Sequence, residues 1–361
     1  MVVQSKIGII DGDGHVLEDE PAIATYFPKE YESFLSRRVG KVFPALDHLH
    51  EGLNIRPPGS FMPAAVDRWV DFQDQAGIEG AVLYPTSGLA CGRMVDLDYA
   101  TAACQAYNDW LYDTFTRHTP RLMGMGLVPM QNPPAAVAEM RRCIEELGMV
   151  GIMLPSTGLA NHLGAKVYWP VYEEANRLGI AVAFHGGCHM GLGMDNLNLF
   201  APIHAMGHPF GITISFGSLL FNGVFDQFPN VRWGFLEGGL AWFLLGLERF
   251  NGSHKAFIPA DPHSAFLQLH KGESIAEYII RLVKERRLFV GVEGDEGAIG
   301  YAVSVVGSEP FMFSSDFPHE VNDDTINEEI NELLEREDMS YKDKEGILRT
   351  NAQVFYGLKA S

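Results

Sequence analysis

Five apolar runs along the chain end in ionisable side chains of the types that bind metal ions. The residues at these ends are Asp13 and His15, His185, Glu237, Glu293, and Asp316. Imidazole nitrogens and carboxylate oxygens are common ligands of divalent cations, and a buried carboxylate is costly unless it is paired or metal-bound. If the five runs end at one place in the fold, the sequence predicts a metal site there.

The first of these ends is the motif DGDGH, which contains Asp11, Asp13 and His15. Residues two apart in an extended chain point to the same face, so Asp13 and His15 can reach one ion. Asp11 lies one step deeper on that face, where it can support the other two. Taken alone, the same motif is equally typical of a hydrated turn.

Two other ends share a pattern of an apolar run, an ionisable residue and two glycines. His185 lies in AFHGG and Glu237 lies in FLEGG. Paired glycines indicate that backbone or a ligand approaches closely. The alternatives are a histidine satisfied within the core and a glutamate paired with an arginine.

The elements that position these residues are eight short apolar runs with helical patterns between them. A strand–helix alternation predicts parallel βαβ units, and eight units close into a (β/α)8 barrel whose strand ends meet on one face. An open doubly wound sheet is the alternative, but the ionisable residues follow several strands and not one switch point. The runs are 7–11, 79–86, 121–129, 149–155, 179–187, 230–239, 288–296 and 310–319, and the main helical patterns are 97–118, 134–147, 167–178 and 274–287.

We predict a single domain, 1–361, with three additions to the barrel. They are an irregular cap or insertion over 26–75, a long loop-and-helix excursion over the barrel mouth at 187–228, and a helical C-terminal wrap at 325–356. Histidines four apart in HAMGHPF lie one helical turn apart and can face the same side. The candidate substrate-binding residues on the excursion and cap are His189, His204, His208 and Trp69.

The composition excludes some partners. The chain has 361 residues, of which 47% are hydrophobic, and a formal net charge of −19. This balance argues against nucleic acid and anionic membranes, so we expect a small-molecule substrate and a homo-oligomer, a dimer. The N-terminus lacks a signal-peptide pattern, no apolar run could span a bilayer, and the four cysteines form no CxxC pair, which together predict a cytoplasmic location.

The motifs DGDGH, AFHGG, FPNVRWGFLEGG and SSDFPH, with the terminal KEGILRTNAQVFYGL, resemble the amidohydrolase superfamily and occur in its order. The resemblance is strongest to the branch that includes aminocarboxymuconate-semialdehyde decarboxylase and γ-resorcylate decarboxylase. It implies a (β/α)8 barrel with one or two metal ions at the C-terminal face. Applied to this chain, it implies metal ligands at Asp13, His15 and His185, and a ligand or proton carrier at Asp316.

The chain departs from that pattern at two strand ends. Many relatives have a histidine at the end of strand six, where this chain has Glu237, and no lysine ends strand four to become a bridging ligand. Glu237 or Glu293 could bridge two ions instead. The resulting set of four carboxylates and two histidines predicts one or two ions of iron, zinc or manganese.

These features predict an enzyme, and hydrolysis of an ester, amide or C–C bond by metal-activated water ranks first. Asp316, Glu237 and His319 are the candidate catalytic residues that move protons. A dinuclear iron oxygenase is favoured by the carboxylate-rich ligand set. Non-oxidative decarboxylation of an aromatic or muconate-like acid follows from the resemblance but is weakened by Glu237. A binding protein without catalysis is the last alternative.

Overall fold

The structure, a computed structural model, describes residues 7–50, 59–262 and 267–359. Eight parallel strands form one sheet in chain order, which confirms the predicted (β/α)8 barrel. Backbone bonds from Asp316 N to Asp13 O (3.0 Å) and from His15 N to Phe317 O (2.7 Å) join the first and last strands at the mouth. The strands are β1 Ile9–Val16, β2 Ile78–Pro85, β3 Leu122–Leu127, β4 Gly151–Pro155, β5 Ala181–His185, β6 Arg232–Leu236, β7 Leu288–Val292 and β8 Phe311–Phe313.

Helices connect the strands and cover the outside of the barrel. Every residue of β4, β5 and β7 is buried, as expected for parallel strands packed on both faces. No helix in the described ranges combines the length and the apolar character that a bilayer crossing needs. The helices are α1 Glu20–Ala24, α2 Glu32–Arg37, α3 Val66–Ala76, α4 Leu97–Leu111, α5 Pro133–Glu145, α6 Trp169–Leu178, α7 Phe200–Phe221, α8 Val224–Gln227, α9 Ala241–Phe257, α10 Ile275–Lys284, α11 Ile299–Val306, α12 Thr325–Glu335, α13 Tyr341–Glu345 and α14 Asn351–Tyr356.

The four main helical patterns of the sequence correspond to α4, α5, α6 and α10. The pattern at 97–118 is divided, because α4 ends at Leu111 and a π-helical turn, Tyr112–Thr116, follows it. Helix α10 begins at a capping box in which Ser274 and Glu277 satisfy each other's backbone N–H groups. The local signals therefore set these boundaries to within a few residues.

The segment 26–75 differs from the predicted irregular cap at its C-terminal end. Residues 66–76 form α3, which connects β1 to β2 and ends at Gly77 in the left-handed conformation. Two aromatic residues of the segment, Trp69 and Phe72, lie on the apolar face of α3 and are fully buried. Residues 51–58 of the segment lie outside the described residues.

The C-terminal segment contains α12 to α14, and α14 packs against β1, β6 and β8. The hydroxyl of Tyr356 donates to the backbone oxygen of Gly12 and lies 2.7 Å from the hydroxyl of Tyr84. The amide of Asn351 donates to Phe311 O at 2.7 Å. These contacts join the C-terminal wrap to β1, β2 and β8.

Candidate metal centre

The ends of β1, β5 and β8 bring two histidines and two aspartates together. His185 Nε2 and His15 Nε2 lie 3.3 Å and 3.5 Å from Asp13 Oδ1. His15 Nε2 is also 3.3 Å from Asp316 Oδ1. We name Asp13, His15, His185 and Asp316 the four-ligand group, because one atom of each faces the same small space.

The facing atoms of the four-ligand group are all buried, and each lacks a hydrogen-bond partner among the described residues. Each such buried polar atom costs about 1–3 kcal/mol, and the two carboxylates also repel each other. A divalent cation removes both penalties. The two nitrogens and two oxygens suit a cation of intermediate hardness, so the residues present fit a divalent metal.

The protonation of His15 suits a metal ligand. Burial, together with the neighbouring rings of His319 and His185, holds the pKa of His15 well below its usual value. His15 Nδ1 lies 2.9 Å from Pro85 O, which can only accept, so this nitrogen carries the proton. Nε2 is therefore left with its lone pair directed at the group.

Asp11 supports the centre from the layer below, as its place in the alternation predicted. It is fully buried, and its carboxylate accepts from Ser315 Oγ (2.6 Å), Ser315 N (3.0 Å) and Asp13 N (3.2 Å). These bonds join β1 to the end of β8. They fix the backbone on which Asp13 and Asp316 are carried.

Glu237 and Asp316 share an unusual backbone conformation. Their φ angles are +56° and +55°, in the left-handed region that residues other than glycine rarely adopt. Such strain is typical of functional sites, where the surrounding structure holds a side chain in a required direction. Here the left-handed conformation occurs just beyond the ends of β6 and β8, and it turns both carboxyl groups toward the mouth of the barrel.

Glu237 lies against the four-ligand group, and one of its oxygen atoms lies within 4.8 Å of ligand atoms of His15 and Asp316. Its Oε2 is buried, 3.1 Å from His185 Nδ1 and 3.6 Å from His208 Nδ1. Burial raises the pKa of Glu237 well above its usual value, and the carboxylates of Asp316 and Asp13 raise it further. This environment favours the protonated form of the Glu237 carboxyl group.

His319 forms a second proton-carrying position. Its Nδ1 lies 2.8 Å from Asp316 Oδ1, and its Nε2 lies 2.8 Å from Thr86 Oγ1. Burial alone lowers the pKa of His319, but the Asp316 carboxylate outweighs it and raises the pKa to about 9. The predicted catalytic residues Asp316, Glu237 and His319 thus lie together, with one ligand atom of each within 4.8 Å of the others.

Glu293, also predicted as a ligand, lies at the edge of the site. It is exposed, and no cluster of metal-capable residues in the described ranges includes it. It borders a cavity of about 10 Å³ beside Glu237 and Asp316, which has room for about one water. The bridging role suggested by its position after β7 stays a prediction of the sequence.

The four predicted substrate-binding residues divide into two pairs. His208 lies beside Glu237, and His189 lies against His208 with ring centroids 4.6 Å apart. His204 is half exposed, and its Nε2 lies 3.7 Å from Glu320 Oε1. The prediction for Trp69 is corrected, because the side chain is fully buried against Phe317 (4.7 Å) and is part of the core.

Two residues that position the site were not singled out in the sequence. Asp47 Oδ2 accepts from His189 Nδ1 at 2.9 Å, across 142 residues of chain. Glu18 accepts from the backbone N–H groups of Ser87 (2.9 Å) and Gly88 (2.8 Å) and so fixes the turn after β2. The available signals were the DHLH spacing at 47–50 and the glutamate that follows DGDGH.

Comparison with known proteins agrees with this geometry. Residues 48–358 match the family model described as Amidohydrolase. The chain is 27% identical over 257 residues to a 2-amino-3-carboxymuconate-6-semialdehyde decarboxylase of Dictyostelium discoideum, which covers 70% of this chain and 66% of that protein. It is 24% identical over 312 residues to a γ-resorcylate decarboxylase of Polaromonas sp., which covers 81% and 87%.

A solved structure shows the same fold over nearly its whole length. It is a dihydroxybenzoic acid decarboxylase from Polaromonas sp. with bound manganese and the inhibitor 2-nitroresorcinol. The two structures superpose with a TM-score of 0.68 at 21% identity, over 98% of each chain. Since the family model covers most of the chain, from the cap to the C-terminal wrap, this protein belongs to the amidohydrolase family.

Proposed function

We propose that this protein is a metal-dependent, non-oxidative decarboxylase of a small aromatic or unsaturated carboxylic acid. The observation that carries the proposal is a buried carboxyl group, Glu237, whose Oε2 lies 3.1 Å from His185 of the four-ligand group and whose pKa is raised by burial. The two curated relatives described above are decarboxylases of acids of this kind. Decarboxylation replaces the carboxylate by hydrogen, so a cation and a proton donor are the two groups that it requires.

Asp13, His15, His185 and Asp316 would hold the metal. When bound, the metal would supply a positive charge that orients the acid and polarises its oxygen atoms. We propose one ion, because the two groups of possible ligands at the ends of β1, β5, β6 and β8 share His15, and manganese, because the structural neighbour binds it. His15 is fixed for this role by Pro85 O, and Asp13 by Asp11.

Glu237 would deliver the proton to the carbon that loses carbon dioxide. A carboxylic acid serves as a general acid at neutral pH only when its pKa is raised, and burial beside other carboxylates does this here. The glutamate in place of the histidine of many relatives therefore keeps a proton carrier at the end of β6. This removes the objection to decarboxylation that the sequence alone raises.

The relatives reverse the order of functions expected from the sequence, in which hydrolysis ranked first and decarboxylation third. Neither curated relative described above is a hydrolase or an oxygenase. The oxygenase depended on Glu293 as a further carboxylate ligand, and Glu293 lies outside the group. A homodimer and a cytoplasmic location stay predictions of the sequence.

The test is carbon dioxide release from hydroxybenzoic and muconate-type acids by manganese-loaded protein without oxygen. In D₂O the product should carry one deuterium at the carbon that lost its carboxylate. Glu237→Gln should bind metal normally but lose about 10²- to 10⁴-fold in rate, because the amide cannot donate the proton. Glu328→Gln, on the exposed face of α12, is the matched control. Cleavage of esters or lactones with no decarboxylation would show that the enzyme is a hydrolase.

A further inference from the structure

A cavity of about 490 Å³ lies between the cap and the connection from β2 to α4. Residues 31–44 of the cap form one side of it, and residues 93–99 form the other. No member of the four-ligand group is among the described residues that border it. Pockets that bind small molecules have volumes of about 300–1,000 Å³, so the chain has room for such a ligand at a second place.

Three aromatic rings form one wall of this cavity. Tyr31 and Phe34 each meet the ring of Tyr99 edge to face, with ring centroids 5.7 Å and 5.5 Å apart. The hydroxyl of Tyr99 donates to Val42 O at 2.8 Å and so fixes the central ring. Rings that are already in place can contact an apolar ligand with little further loss of side-chain entropy.

Two arginines border the same cavity, and both have hydrogen-bond donors that the fold does not use. Arg93 Nη1 donates to Ala45 O, and the guanidinium of Arg38 lies 5.4 Å from the centroid of Phe34. Neither arginine has a carboxylate partner among the residues that the structure describes. Since a guanidinium has five N–H donors and no acceptor, the two side chains together offer a place for an anion.

The charge at the cavity is opposite in sign to that of the whole chain, which is −19 and repels anions. Asp96 is the acidic residue among those described at the border, and it caps α4 by accepting from Tyr99 N at 2.8 Å. Two guanidinium groups and one carboxylate leave a local excess of one positive charge. A single carboxylate on the ligand balances this excess, and the aromatic wall fits an apolar body beside it.

We propose that this cavity binds a small monocarboxylic acid with an aryl or branched alkyl body, whose carboxylate is held by Arg38 and Arg93. The inference goes beyond the proposed function and does not depend on it. Pro44 borders the cavity, and Asp47, three residues further on, accepts from His189 Nδ1 at 2.9 Å. A ligand in the cavity would therefore hold the segment of the cap that positions His189.

Arg38→Gln tests the site, because the side chain of Arg38 makes no hydrogen bond within the described residues and the fold should persist. Arg37→Gln is the matched control. It removes the same charge from the neighbouring residue, which is exposed, does not border the cavity and donates to Ser33 Oγ at 3.0 Å. The probes are 3-phenylpropanoate and 3-phenylpropanamide, which differ in charge but hardly in shape, titrated calorimetrically into manganese-loaded protein.

Wild type and Arg37→Gln should bind the acid at least about tenfold more tightly than the amide, as expected for a hydrogen bond to a charged group. Arg38→Gln should bind the acid about tenfold more weakly than wild type does, with the affinity for the amide unchanged. Equal affinities of wild type for acid and amide, or an unchanged affinity for the acid in Arg38→Gln, would overturn the inference. An equal loss in Arg37→Gln would also overturn it, since the effect would then be one of overall charge.

The metal centre is another place where a carboxylate can bind, and Asp13→Asn distinguishes the two. Asp13 does not border the cavity, so its substitution should leave the affinity for 3-phenylpropanoate unchanged. A loss of affinity in Asp13→Asn with normal affinity in Arg38→Gln would place the acid on the metal and overturn the inference. Acetate extends the test to the apolar wall, and it should bind at least about tenfold more weakly because it cannot bury a ring.

A second copy of the chain is the other possible occupant, since Phe34 is 47% exposed and Val95 is 91% exposed beside the cavity. Light scattering of wild type and Phe34→Ser addresses this directly. The molar mass in solution should be the same for both proteins. A dimer of wild type that dissociates in Phe34→Ser would show that a second copy covers the cavity, and it would overturn the inference.

Discussion

Asp13→Asn is the substitution that tests the metal centre most directly. Asp13 Oδ1 faces both histidines of the group, 3.5 Å from His15 Nε2 and 3.3 Å from His185 Nε2. Asparagine has the same shape, so the fold should persist. Burial raises the pKa of Asp13, and its charge is therefore a liability without metal. The metal-free variant should be at least as stable as the metal-free wild type.

The effect on the metal-bound state has the opposite sign. At free Mn²⁺ about 100 times its Kd, binding adds about 2.7 kcal/mol to the stability of the wild type. Loss of a residue that hydrogen-bonds a metal ligand weakens metal binding up to roughly 100-fold, and loss of a direct ligand should weaken it at least as much. The stabilisation by manganese that remains in the variant is then about 0.4 kcal/mol. The entropy of unfolding is about 2.1 cal/mol/K per residue. For a chain of this length, manganese should therefore raise the unfolding temperature by about 3–4 °C in the wild type and by under about 1 °C in the variant.

Thermal unfolding with and without Mn²⁺, followed by circular dichroism, measures both quantities in one experiment. His50→Asn is the control, because Asp47, His50 and His189 form another cluster that could hold a metal. A manganese-induced shift that survives in Asp13→Asn but disappears in His50→Asn would place the metal in that cluster. It would refute the four-ligand group.

Three further substitutions test the scaffold. Gly234→Ala should lose about 1–3 kcal/mol by urea unfolding, because the new methyl group overlaps the ring of Phe355, and Phe355→Leu should restore part of the loss. Tyr356→Phe should cost about 1–3 kcal/mol in the same assay, since it leaves the buried backbone oxygen of Gly12 without its donor. Glu174→Gln should destabilise at pH 7, because hydrogen bonds from two arginines lower the pKa of Glu174 to about 2. The difference from wild type should shrink as the pH falls from about 4.5 to 2, where the wild-type carboxylate is protonated, and a difference independent of pH would exclude this cause.

The strands were predictable because burial on both faces requires continuous apolar runs, which are easily identified in the sequence. Runs such as MVGIMLP and GIAVAFH have no polar alternation, and each became a buried parallel strand, Gly151–Pro155 and Ala181–His185. The convergence of the strand ends then followed from the topology of the barrel. The pairing of Asp13 with His15 needed only the two-residue period of a strand.

The direction of side chains beyond the strands was not predictable. Glu237 and Glu293 each follow an apolar run and precede a glycine, so the sequence treats them alike. Glu237 has a left-handed backbone that turns it toward His185, whereas Glu293 is exposed. The difference arises from packing around each turn. Asp47 was not predicted as a site residue because its partner, His189, is distant in the chain. The segment around Asp47 also has no periodic pattern.

His185 connects the two halves of the proposed chemistry through one ring. Its Nε2 faces Asp13 in the four-ligand group, and its Nδ1 lies 3.1 Å from Glu237 Oε2. A cation on Nε2 requires the proton to stay on Nδ1, where Gly186 O lies at 3.2 Å as the acceptor and Glu237 Oε2 lies nearby. Metal binding would thus keep a donor, and not a lone pair, on the side of the ring that faces Glu237. A histidine at position 237 could not accept this contact while protonated, so the glutamate gives the site a proton donor that tolerates a donating neighbour.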